Sequence, residues 1–141
     1  MTDFEPDWAG ADDTRTTLIS GLRSAGTVDD DIVAALSLPG VPDWLLSHPF
    51  QVIGDLDELK QGGTSVEVPE KWRAGLPYRI EVDAHQQLLL FYERVLTFGT
   101  RDEQRALINR GYLVEHWPDL AREVHPVVVS VWERRFPGLR R

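Results

Sequence analysis

The chain contains no cysteine. That excludes a disulfide framework, a thiolate metal site and a cysteine nucleophile. It has one methionine and only two lysines against 13 arginines, a bacterial-like bias. No apolar run approaches the roughly 18 to 20 residues needed to cross a bilayer. The opening residues, MTDFEPDWAGADD, lack the basic-then-apolar order of a secretory signal. A cytoplasmic protein with no membrane partner is expected. Nucleotide and hydrolase signatures are missing too: there is no Walker loop, no G-x-G-x-x-G and no G-x-S-x-G elbow. Of the histidines, His48, His85, His116 and His125, no two stand at the H-x-x-x-H spacing of a helical zinc site, and none completes an E-x-x-H motif. Neither a metal nor another cofactor is therefore expected.

What is present suits one globular domain. In 141 residues, 42% are hydrophobic, with five Trp, five Phe and three Tyr to build a core. Charge is unevenly placed. Residues 1–70 hold 14 Asp and Glu against 3 Lys and Arg, a net of −11; residues 71–141 hold 9 against 12, a net of +3, giving −8 in all. The acidic total argues against general affinity for nucleic acid or anionic lipid. Either the halves complement one another or the arginine-rich half faces an acidic partner.

The strongest local pattern is DAHQQLLLFYERVLTF, residues 83–98. At about 100° per residue, Leu88, Leu89, Phe91, Tyr92, Val95, Leu96 and Phe98 share one broad arc, opposite Gln86, Gln87, Glu93, Arg94 and Thr97. Asp83 with Gln86 resembles a capping box, and Gly99 is placed as a stop. Leu90 stands alone on the polar half and is a candidate partner contact. His85 falls at the apolar edge of the first turn, as a hydrogen-bonded core-edge residue or as a ligand or catalytic group.

Around this helix the sequence predicts a mainly α, compact single-domain bundle of six or seven helices with a minor β-hairpin near 65–82. Residues 1–13 read as a flexible acidic segment with Phe4 and Trp8 as anchors, residues 14–136 as the helical domain, and 137–141 as a frayed basic tail. A first helix starts at Thr14 and closes at Gly26; a second is capped by Thr27, with Asp29 to Asp31 in its first turn. Residues 41–48 give a short helix whose Trp44, Leu45 and Leu46 face inward. Asp55 with Glu58, and Thr100 with Glu103, are capping pairs. Val66–Val68 and Tyr78–Val82 alternate as strands. Residues 101–110 and 118–136 read as helices, the second kinked at Pro126; residues 83–98 and 118–136 form the central pair.

Two groups of residues are candidates for function. Trp72 lies on the hairpin loop between Lys71 and Arg73, where it can stack on a partner or fold back onto its own domain. Glu115, His116, Asp119, Glu123 and His125 make the densest polar cluster, and His116, Asp119 and Glu123 are grouped with His85 as candidate polar site residues; a carboxylate–histidine pair serves acid–base chemistry or a salt bridge. The leading expectation is a non-enzymatic interaction module (an adaptor, or an antitoxin- or immunity-like binder) with another protein as partner, a homo-oligomer being a further option. The alternatives are a helix-turn-helix regulator using 101–136 and a small hydrolase or lyase centred on His116 or His85. DNA reading is disfavoured by Asp119 and Glu123 at the start of the second helix.

Overall fold

The computed structural model describes residues 7–140, with side chains from residue 15 onward; Phe4, the Trp8 side chain and Arg141 lie outside the described residues. Among the described residues there are eight α-helices, three short 3-10 turns and one two-stranded antiparallel sheet. The mainly α architecture with a minor hairpin is thus as the sequence implies. The chain divides after Pro49 into two compact units. No described helix is long and apolar enough to cross a membrane.

The first unit holds α1 (Asp7–Ala25), α2 (Asp30–Leu36) and α3 (Asp43–Ser47), with α1 packed on the other two. Helix α1 begins before Thr14, so residues 7–13, expected to be flexible, are helical; Asp7 at the start and alanines behind it suit a helix N-terminus. Gly26, at φ 66°, ends it in the left-handed region. Thr27 does not cap α2: Asp29 occupies that position, with Asp30 and Asp31 in the first turn. Carbonyls at and beyond the end of α2 are met by one side chain. Arg15 donates to Val41 O (2.6 Å), Leu36 O (3.2 Å) and Leu38 O. On α3, Leu45 and Leu46 are buried, whereas Trp44, expected inside, is 45% exposed. Three consecutive residues cannot share one face of a helix that turns about 100° per residue.

The second unit holds β1 (Ser65–Glu67), β2 (Arg79–Glu81), α4 (His85–Phe98), α5 (Arg101–Leu107), α6 (Arg110–Glu115), α7 (Trp117–Glu123) and α8 (Pro126–Arg135). The strands pair with Val66 opposite Ile80. Helix α4 is the hub, packed on α7, α5 and β2. Leu88, Leu89, Phe91, Tyr92, Val95 and Leu96 are buried as its apolar arc requires. The arc rotates at the C-terminal end, where Thr97 is buried and Phe98 is 55% exposed. Asp83 makes no cap: it belongs to the turn leaving β2, closed by Ala84 N–H donating to Glu81 O (3.0 Å), and Ala84 is the cap residue. Gly99 does stop the helix, with φ −79° rather than a left-handed conformation. The requirement there is room, because a Cβ would stand 2.5 Å from Val95 O.

Both capping boxes at Asp55–Glu58 and Thr100–Glu103 form. The helix expected over 118–136 is broken instead of kinked: Val124 and His125 are extended, and α7 and α8 are separate. Pro126 lacks an N–H, and its ring pushes the preceding residue out of the helical region. The helix expected over 101–110 stops at Leu107 because Ile108 O and Arg110 N–H pair with Lys60 (3.1 and 2.8 Å). Residues 101–136 therefore hold four helices, not two. The tail expected to fray makes a 3-10 turn at Pro137–Leu139, with Leu139 buried.

Residues 51–53 belong to neither a helix nor a strand. Buried backbone needs partners, and side chains supply them. Gln104, fully buried, accepts from Ile53 N–H (3.1 Å) and donates to Gln51 O (2.7 Å). Arg135 donates to Val52 O (3.1 Å).

Candidate functional site

His85 opens α4, His116 fills the joint between α6 and α7, and Asp119 lies in the first turn of α7. Packing of α4 on α7 brings His85 against Asp119, 34 residues away, with Nε2 3.1 Å from Oδ2. The other ring nitrogen, Nδ1, is 2.8 Å from the Tyr112 hydroxyl. The His116 ring leans on both, 4.7 Å from the His85 centroid and 4.1 Å from that of Tyr112. Asp119 Oδ1 accepts from Arg122 (2.8 Å), so each carboxylate oxygen has its own partner. His85, His116 and Asp119 are all partly exposed.

This geometry limits the chemistry. A neutral imidazole donates through one nitrogen and accepts through the other, while an imidazolium donates through both. In each case His85 is oriented at both ends. Tyr112 sits where a nucleophile would sit in a hydroxyl–imidazole–carboxylate relay. Its phenol is nevertheless pushed above the ordinary range by burial, with the charges of Glu115 and Asp119 adding to the effect. It stays protonated and serves as a hydrogen-bond partner. The cluster can hold a proton, or offer two imidazoles and a carboxylate to a cation. Of the four residues expected to cluster, three meet. The fourth, Glu123, is exposed and lines a different surface.

That surface is a groove of about 370 Å³ beside the cluster, along α4 and the end of α7. Leu76, Leu89 and Leu90 give it an apolar lining; Gln86, Gln87, Glu93 and Glu123 are its polar members. Leu90 is 41% exposed, while Leu89 and Leu76 are buried beneath the surface. Glu93 titrates above its ordinary 4.5 because it is partly buried, with the Glu123 charge adding to the rise and Arg94 opposing it. Arg94 is itself engaged elsewhere, donating to Trp72 O (2.7 Å).

Of the two arrangements open to the hairpin loop, the structure adopts the fold-back. Trp72 is 8% exposed and meets Phe91 edge-on, with centroids 6.4 Å apart. It folds back onto its own unit instead of presenting its ring. The flanking cations hold it there: Lys71 pairs with Glu103 and lies 4.3 Å over the Trp72 ring, and Arg73 donates to Val68 O (3.0 Å) and covers Tyr78. Burial of an indole outweighs the exposure that loop position alone suggested. Of the expected contact set, Leu90 is an exposed apolar member, and Lys71 is exposed but ion-paired. No sequence signal marked Leu76, which reaches the groove from the loop before β2.

No family model, no curated protein and no solved structure matches the chain. Any functional reading rests on its own residues.

Proposed function

We propose that this protein is a non-catalytic interaction module, of the adaptor, antitoxin or immunity-protein kind, that takes a cationic, apolar segment of another protein in the α4 groove. The observation that carries this is Leu90, exposed on the central helix above Leu76 and Leu89 and bordered by Glu93 and Glu123. Apolar side chains on a partner would remove this lining from water, at about 25 cal/mol per Å² before the costs of association. A lysine or arginine beside them would face two carboxylates that otherwise repel each other, one of them already partly desolvated. Apolar anchors supply affinity and the charges supply orientation and choice of partner. An acidic partner would meet repulsion at the same place. The sequence-level alternative, an arginine-lined contact through Lys71 and Arg73, has less support, because both cations are engaged with their own unit.

The reading is tested by selecting random displayed peptides against the intact protein. Enriched peptides combine large apolar residues with Lys or Arg and lose binding to Leu90→Arg and Glu93→Arg variants. Enrichment of acidic peptides, or undiminished binding to both variants, refutes the groove as the binding surface.

A further inference from the structure

We infer that His85, His116 and Asp119 form a binding site for a divalent first-row transition ion of the zinc class. The inference is independent of the groove and of what binds there. Two imidazoles and one carboxylate are donors suited to zinc, nickel or cobalt, whereas magnesium and calcium select sites made of oxygen alone. One donor atom from each residue falls within 4.8 Å of the others. His85 Nε2 and Asp119 Oδ2 are 3.1 Å apart. Two ligands at about 2.0 to 2.1 Å from a tetrahedral zinc ion stand roughly 3.3 Å from each other. That pair is already spaced for the ion, and a His116 ring nitrogen lies within 4.8 Å of both.

The surroundings have the form that metal ligands require. Tyr112 Oη, 2.8 Å from His85 Nδ1, accepts the Nδ1 proton in the tautomer that points the Nε2 lone pair at Asp119. Arg122 holds the far oxygen of Asp119 at 2.8 Å. Tyr112 supports the His116 ring. Such outer partners fix ligand orientation and raise affinity. Partial exposure leaves the ion reachable and a fourth position for water. Glu115 Oε2, 3.9 Å from His116 Nε2, adds negative charge near the site. On binding, an imidazolium His85 releases its Nε2 proton to solvent, whereas a neutral His85 carries its one proton on Nδ1 toward Tyr112; in both cases the Nε2 lone pair faces the ion. Local spacing shows little of this site, because the ligands come from α4, the α6–α7 joint and α7. Only the His116-x-x-Asp119 pair has a local spacing that a helix start brings to one side.

The test is calorimetric titration of the full chain with zinc chloride, with cobalt(II) absorption as a second probe and magnesium as the control. One equivalent of zinc is expected to bind, cobalt to develop visible bands, and magnesium to give neither heat nor saturation. His116→Gln and Asp119→Asn each weaken zinc binding by about tenfold or more. Tyr112→Phe weakens it less, and His48→Gln leaves it unchanged. Circular dichroism of each variant separates loss of the site from loss of fold. The near-isosteric Asp119→Asn carries the test if His116→Gln does not fold. Absence of zinc binding at one equivalent, or unchanged affinity in a folded Asp119→Asn, overturns the inference.

Discussion

Nε2 of His85 and Oδ2 of Asp119, 3.1 Å apart, tie the first turn of α4 to the first turn of α7. Neither residue has a sequence neighbour that announces the other. The contact follows from burial of the α4 arc against α7, which sets the two helix starts side by side. Because both side chains are over a third exposed, their coupling is that of a solvent-screened pair, about 0.2 to 1 kcal/mol. A double-mutant cycle with His85→Gln and Asp119→Asn, read by urea denaturation, checks this. Coupling indistinguishable from zero would mean that the helices dock without it.

Trp72 is expected to behave as a core residue. Trp72→Ala should cost about 3 to 5 kcal/mol, the usual range for a buried aromatic. Removing Lys71, whose ion pair with Glu103 is largely exposed, should cost no more than about 1 kcal/mol. Thermal and urea unfolding of the two variants distinguish this from an exposed contact tryptophan, whose removal would be nearly neutral.

Gly99→Ala should destabilise the protein although its φ suits any residue. The added Cβ would meet Val95 O at 2.5 Å and Val95 Cγ1 at 3.1 Å. Overpacking of this kind costs about 1 to 3 kcal/mol. An unfolding midpoint equal to the parent's would show that the end of α4 shifts without cost.

Gln104 is the residue whose loss should most disturb residues 51–53. Gln104→Leu keeps the bulk but leaves Ile53 N–H and Gln51 O without their side-chain partner. Ile53 N–H, the buried one of the two, costs about 1 to 3 kcal/mol when left unsatisfied, while Gln51 O, on an exposed residue, can turn to water. Amide hydrogen exchange at Ile53 should accelerate in the variant, and unchanged protection would contradict the assignment.

Glu93 gives a pH dependence of defined sign. Its folded pKa is raised above 4.5, chiefly by burial. The protonated carboxyl is therefore the better-tolerated form in the folded protein. The group's contribution is most favourable below its unfolded pKa and is lost as pH rises through the folded value. Glu93→Gln should thus gain stability relative to the parent between mildly acidic and neutral pH. Urea midpoints measured across that window check it. A constant difference would show that Glu93 titrates normally.

How much could be read in advance depended on the range of the interactions. The α4 arc, the strand alternation around Val66 and Ile80, and the Thr100–Glu103 and Asp55–Glu58 boxes are set within a few residues, and all appear in the fold. The misreadings have long-range or steric causes. Trp72 is buried by Phe91 and by Arg94 reaching its carbonyl, 22 residues along the chain. Leu107 ends α5 because the residues after it pair with Lys60. The break before Pro126 is visible in the sequence as a proline, but a proline alone does not distinguish a kink from a break. At the candidate sites, residue types were legible and convergence was not. His85, His116 and Asp119 meet only through helix packing, while Glu123, one turn beyond Asp119, belongs to the groove.

The groove is tested most directly by methyl NMR of the leucine-labelled protein, titrated with an amphipathic leucine–lysine peptide and, separately, with its leucine–glutamate counterpart. The expected result is saturable shifts of the Leu76, Leu89 and Leu90 methyls with the cationic peptide alone, abolished by Leu90→Arg. Shifts confined to other leucines, or equal responses to both peptides, would contradict the proposed binding surface.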